Sequence, residues 1–208
     1  MLPALATWLP GARLADIYFP APAHPLHVSE RRARGVLAGV VFVVLLAQVL
    51  LYPGVDTLVA ALGAETTLDA SMWFLAAEFA ACVAFVGIWG AVSDRTGRRV
   101  PYIVGGAVAG SGLYAALAWL PTVVSVSFEV VLLLRALQGA ATIAAFSLSM
   151  TMLMDLSGGH GKNMGAAGIA IGSGTALGAP LGGQLYGVSP TLPLSVASGL
   201  FLVVAVLA

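Results

Sequence analysis

The chain has 208 residues, of which 60% are hydrophobic and 9% charged, with a mean hydropathy of +0.99. Soluble domains carry about 25% charged residues, so there is too little polar surface here to cover a water-soluble globule, and the composition defines an integral membrane protein. Nine basic residues balance nine acidic ones, a neutral total that points to no acidic or basic partner, and no nucleic acid is expected.

Residues 1–34 carry Pro3, Pro10, Pro20, Pro22 and Pro25 but no basic leader segment, and so read as a poorly ordered cytoplasmic tail rather than a signal peptide. A bundle is expected over 35–208, with spanning helices near 36–59, 71–92, 101–120, 123–152, 164–187 and 190–208. Each lies close to the ~20 residues that a bilayer-crossing helix requires. Between them fall the turn signals "ALGAETTLDAS", "SDRTGRRVP", "LPTV", "DLSGGHGKN" and "GVSPTLP".

In the first span, Pro53 and Gly54 predict a distorted backbone beside Asp56, which either lines a cavity or sits exposed at the interface. In the second, Glu78 is equally readable as a proton-carrying carboxyl or a solvated interfacial one. The basic residues set the orientation. Arg31, Arg32 and Arg34 precede the first span, Arg95, Arg98 and Arg99 follow the second, and Lys162 follows the fourth. A cytoplasmic N-terminus puts all of these inside, and six spans return the C-terminus to the same side of the cell membrane.

The fourth span holds Arg135, expected ~18 Å along its helix. An arginine near the bilayer centre costs roughly 2.5–3.5 kcal/mol on insertion scales. Gln138, Thr142 and Ser149 share its face, a polar stripe that predicts a water-accessible cavity or, alternatively, a buried structural network. Glu129 in the same span is read as solvated near the outer interface. In the fifth span, Ala166, Ala170, Gly174, Gly178 and Gly182 recur every four residues, with Gly168 and Gly172 beginning an adjacent row. Such a face admits close helix approach, and Pro180 invites a bend. The contact is either a sliding surface or static packing.

No catalytic, metal or cofactor site is expected. Cys82 is the single cysteine, and His24, His27 and His160 lack ligand spacing. "GSGLYA" from Gly110 lies inside a span without a preceding strand, and "GGHGKN" lacks the rest of a phosphate loop. With no nucleophile–base constellation, an enzyme is not indicated.

Three motifs in order resemble the major facilitator superfamily. Gly90, Asp94, Arg95, Gly97, Arg98 and Arg99 match its loop signature between helices two and three. "RALQG", Arg135 to Gly139, is similar to its fourth-helix Arg-x-x-Gln-Gly motif. Gly174, Gly178, Pro180, Gly182 and Gly183 resemble the fifth-helix motif of its drug–proton antiporter branch, displaced by one place. The resemblance covers about 36–208 and implies an all-α membrane protein. Its six-transmembrane-helix bundle would be one half of a twelve-helix fold that moves solute by alternating access.

The expected function is proton-coupled efflux of a small apolar or amphipathic solute, with proton-coupled uptake of a sugar or organic anion, or a non-transporting assembly subunit, as alternatives. By resemblance, Arg135 and Gln138 tune proton coupling or line the cavity, and the fifth-helix residues form part of a moving interface. The same resemblance implies that the charged loop latches two halves together on the cytoplasmic side; a plain topology anchor is the alternative. Asp94 there opposes the dipole at a helix C-terminus and calls for an arginine or another helix N-terminus as partner. The absence of a polar flank after the last span leads to the expectation of a chain cut at Ala208, needing its C-terminal half, or else a second copy.

Overall fold

A computed structural model describes residues 28–64 and 67–208, and among them every regular element is helical. Most of the expected tail, residues 1–27, lies outside the described residues. The rest of it is helical, because α1 runs from Val28 to Val49, ahead of the expected start. A 3-10 turn over Tyr52–Gly54 and a short α2, Val55–Ala61, complete the first span. The distortion falls at the expected residues. Pro53 supplies no backbone donor, and a Cβ on Gly54 would lie 2.7 Å from the Tyr186 ring. The Tyr186 hydroxyl donates to the Leu51 carbonyl at 2.9 Å, capping one acceptor at the break.

Then follow α3 (Thr67–Thr96), α4 (Val100–Val123), α5 (Phe128–Asp155), α6 (His160–Tyr186) and α7 (Leu192–Leu207). The first span and α3 to α6 are long and apolar enough to cross a membrane. The last helix has 16 residues, ~24 Å at 1.5 Å per residue, and falls short of the full span expected for it. It nevertheless packs like the others, burying Leu194, Ala197, Phe201 and Val204.

Several boundaries differ from expectation for local reasons. Pro121 does not end α4, because it sits in the last turn and the chain becomes extended only at Val124. The break therefore moves to 124–127, and α5 begins at Phe128. The helix α3 continues through Thr96, so Gly90, Asp94 and Arg95 are helical and only the end of the charged motif turns. Gly97 makes that turn at φ +63, a conformation costing an L-residue about 1–2 kcal/mol.

At the centre, α5 packs against α1, α3 and α4; α6 lies on α1, and α7 on α4 and α1. Lipid removes most of the hydrophobic drive between spanning helices, leaving close packing to hold them. Glycines supply it. A Cβ on Gly139 of α5 would meet the Glu78 carbonyl of α3 at 2.6 Å, and one on Gly106 of α4 would meet the Ala141 carbonyl of α5 at 2.6 Å.

The α6 contact uses the expected small residues in part. A Cβ on Gly174 would come 2.8 Å from the Phe42 carbonyl, one on Gly178 2.7 Å from Val49, and one on Gly182 2.2 Å from the Leu50 carbonyl. Toward the start of α6, however, the buried stripe runs through Ala167 and Asn163, not Ala166. A strict four-residue row drifts around a helix of 3.6 residues per turn. Gly168, Gly172, Pro180 and Gly183 face outward.

Candidate functional site

The α3–α5 crossing brings the two most costly residues of the interior together. Arg135 is 0% exposed and Glu78 1%. Arg135 Nη2 donates to Glu78 Oε2, and its Nη1 donates to Gln138 Oε1. Gln138 Nε2 reaches Glu78 Oε1 at 3.4 Å and Thr142 Oγ1 at 3.2 Å. The guanidinium lies 4.6 Å from the Phe74 ring centroid and 5.9 Å from that of Tyr114, within range of a cation–π attraction. Arg135 Nε has no hydrogen-bond partner among the described residues.

The helix period makes this geometry. Phe74 and Glu78 stand one turn apart on α3, as Arg135, Gln138 and Thr142 do on α5, and Gly139 lets the two backbones meet. Trp89 Nε1 donates to the Ala140 carbonyl at 2.7 Å, fixing the crossing from another turn.

Of the two sequence readings of the stripe at Arg135, the structure has the buried network, enclosed by protein. With α5 starting at Phe128, Arg135 also sits ~10 Å along the helix rather than ~18 Å, and Glu129 is in the first turn and exposed. Asp56 is exposed in the first turn of α2 and stands outside the network. Ser149, also on the stripe, is buried, and its hydroxyl has no partner among the described residues.

An apolar cup of about 210 Å³ adjoins the network. Val44, Leu45, Phe79, Cys82, Ile143 and Phe146 form most of its wall, with Gln48 and Thr142 as its amide and hydroxyl. Thr142 thus belongs to both features, lining the cup while its oxygen accepts from Gln138. Sequence spacing alone put Thr142 on the Arg135 face but gave no sign of the cup, which needs α1, α3 and α5 together.

At the basic end of the bundle, Arg99 pairs with Asp155 at the end of α5 and lies 3.6 Å from Asp94. Asp94 thereby finds an arginine, as its position required. The hydrogen bond to Asp155 holds the Arg99 guanidinium above its ordinary pKa. Ser93 donates to the Gly90 carbonyl at 2.9 Å, while Arg95 and Arg98 are exposed. A groove of about 470 Å³ runs between Asp94, Arg99, Met152 and Asp155. Asp155 was visible in the sequence only as a turn residue, since its partner lies 56 positions away.

A bundle of long apolar helices closed around a buried ion pair is the architecture of a polytopic membrane protein. The family described as Major Facilitator Superfamily matches residues 37–208, and the chain belongs to it. No curated protein matches the chain. Membership makes this bundle half of a major facilitator fold and the protein a secondary transporter of small molecules across a lipid bilayer.

Proposed function

We propose that this protein exports a small apolar or amphipathic solute in exchange for protons, in the manner of the drug–proton antiporter branch. Glu78 would carry the proton and Arg135 answer its charge. The observation that carries this reading is the enclosed Glu78–Arg135 pair, joined through Gln138 and Thr142 to the apolar cup. A protonated Glu78 no longer balances the guanidinium, so proton uptake and pairing compete. Movement at the Thr142 wall of the cup is transmitted through Gln138 to the same carboxylate.

In this reading the cup is part of the solute site, completed by a second half or a second copy, and Asp56 takes no part in coupling. The Asp94–Arg99–Asp155 cluster is part of a cytoplasmic latch, both chain ends are cytoplasmic, and the α6 glycines with Pro180 form part of the moving interface. The carrying test uses everted membrane vesicles from cells expressing the gene, acidified inside, with a neutral lipophilic dye as solute. The proposal expects gradient-driven dye accumulation that Glu78→Gln abolishes while dye–dye exchange persists. Undiminished gradient-driven accumulation in Glu78→Gln would remove the carboxylate from the mechanism. Accumulation that follows the opposite gradient would replace export by uptake.

A further inference from the structure

A second constellation lies where α1 and α6 begin. A groove of about 470 Å³ is lined by Arg31, Arg34, Gly35, Ala38, Lys162 and Ala166, with no carboxylate in its wall. The spacing is regular. Arg31 stands one turn above Gly35, Arg34 above Ala38, and Lys162 above Ala166, so each cation overhangs a small residue on its own helix face. The charged rim therefore continues into a smooth, uncharged trough running toward the apolar span. A Cβ built on Gly35 meets nothing within 4 Å. Further along, the α1–α6 seam closes where Gly174 abuts Phe42.

The rim is pre-set and its charge is not spent internally. Arg34 is held by donation from Nε to Asn163 Oδ1 and from Nη2 to the Ser157 carbonyl, both at 2.8 Å. Asn163 is 1% exposed and anchored to the Leu156 carbonyl at 2.6 Å. The nearby carboxylate of Glu30 accepts from the Ser157 hydroxyl. Arg31 and Lys162 are exposed and take part in no ion pair among the described residues.

We infer that this groove binds one anionic phospholipid, its headgroup phosphate held by Arg31, Arg34 and Lys162 and the start of its acyl chain lying over Gly35, Ala38 and Ala166. Guanidinium and ammonium groups together suit a phosphate, and a basic recess between spanning helices at the interface is where an anionic headgroup gains most. The uncharged trough beneath the rim favours a lipid over a free anion. This inference is independent of the transport reading.

The test is native mass spectrometry of the purified chain in detergent, titrated with phosphatidylglycerol, phosphatidylcholine or inorganic phosphate. One phosphatidylglycerol should be retained in preference to phosphatidylcholine. Arg31→Gln with Lys162→Gln should weaken it about thirtyfold, at roughly fivefold for each charge near a membrane surface. Arg95→Gln with Arg98→Gln, which removes the same charge elsewhere, should leave it nearly unchanged. Gly35→Leu should weaken the lipid by filling the trough while preserving all three cations. Equal losses in the two charge pairs would reduce the effect to general surface attraction and overturn the site. Competition by inorganic phosphate at matched concentration, or indifference to Gly35→Leu, would overturn the lipid as its occupant.

Discussion

The buried pair makes a quantitative prediction that needs no knowledge of the solute. Glu78→Gln keeps the side-chain shape but leaves Arg135 as an uncompensated charge in a site that is 0% exposed. Breaking one partner of a buried pair destabilises by about 3–5 kcal/mol, whereas replacing both with neutral groups of similar volume is often neutral or stabilising by about 1–4 kcal/mol. Arg135→Met should fall in the same destabilising range, because it leaves Glu78 without its counter-charge. The double variant Glu78→Gln/Arg135→Met should then recover most of the loss. At roughly 2–4 °C per kcal/mol for a chain of this size, each single variant lowers the unfolding midpoint by about 6–20 °C.

The assay is thermal unfolding of all four proteins in one detergent–lipid mixture, followed by intrinsic fluorescence and analysed as a double-mutant cycle. A coupling energy of several kcal/mol is expected. Single-variant losses that add within about 0.5 kcal/mol would show that the two side chains do not share one desolvated site. The enclosed network would then be refuted.

The α1–α6 seam predicts opposite outcomes for adjacent glycines. Gly182→Ala places a methyl 2.2 Å from the Leu50 carbonyl and should destabilise by about 1–3 kcal/mol. Gly183→Ala meets nothing within 4 Å and should stabilise by up to about 1 kcal/mol through helix propensity; matching midpoints would mean that the seam does not form in this register. Gly97→Ala forces a side chain into φ +63 and should lower stability by about 1–2 kcal/mol, read from the same unfolding curves. Asp155→Asn removes a pair whose side chains are 29% and 60% exposed. The change should stay below about 1 kcal/mol and shrink as salt rises; a larger, salt-independent loss would contradict a solvent-screened contact.

Most of the spans were legible because long apolar runs have little alternative in a bilayer, and the Pro53–Gly54 break was legible from backbone chemistry. Helix ends were less so. Pro121 reads as a terminator, yet a proline in the last turn leaves α4 to finish at Val123. The charged motif reads as a loop because it is polar, yet α3 projects past the apolar zone and carries Asp94 and Arg95 as helix. At the site, Arg135, Gln138 and Thr142 were placed together by helical period. Their partner Glu78, 57 positions from Arg135, could not be assigned from spacing, since pairing it requires knowing that Gly139 fits the α3 backbone. The cup and the basic groove were invisible for the same reason, each being assembled from separate helices.

The two charge clusters share one rigid element. Arg135 lies near the start of α5 and Asp155 at its end, twenty residues on and ~30 Å apart along the axis. The energies at the two ends differ, several kcal/mol for breaking a dry pair against under about 1 kcal/mol for a screened one. If Glu78 carries the proton, the Arg135 end dominates the choice between conformations, while the Arg99–Asp155 contact adjusts the balance by a few-fold. Tilting α5 about the Gly139 crossing swings the two clusters in opposite senses, the Asp155 end ~24 Å from the pivot moving further than the Arg135 end ~6 Å from it, because nothing between them interrupts the helix. Neutralising Glu78 therefore has a mechanical route to the basic end that needs no chain of side chains. The pivot itself excludes a side chain for a steric reason: a Cβ at position 139 would stand 2.6 Å from the Glu78 carbonyl.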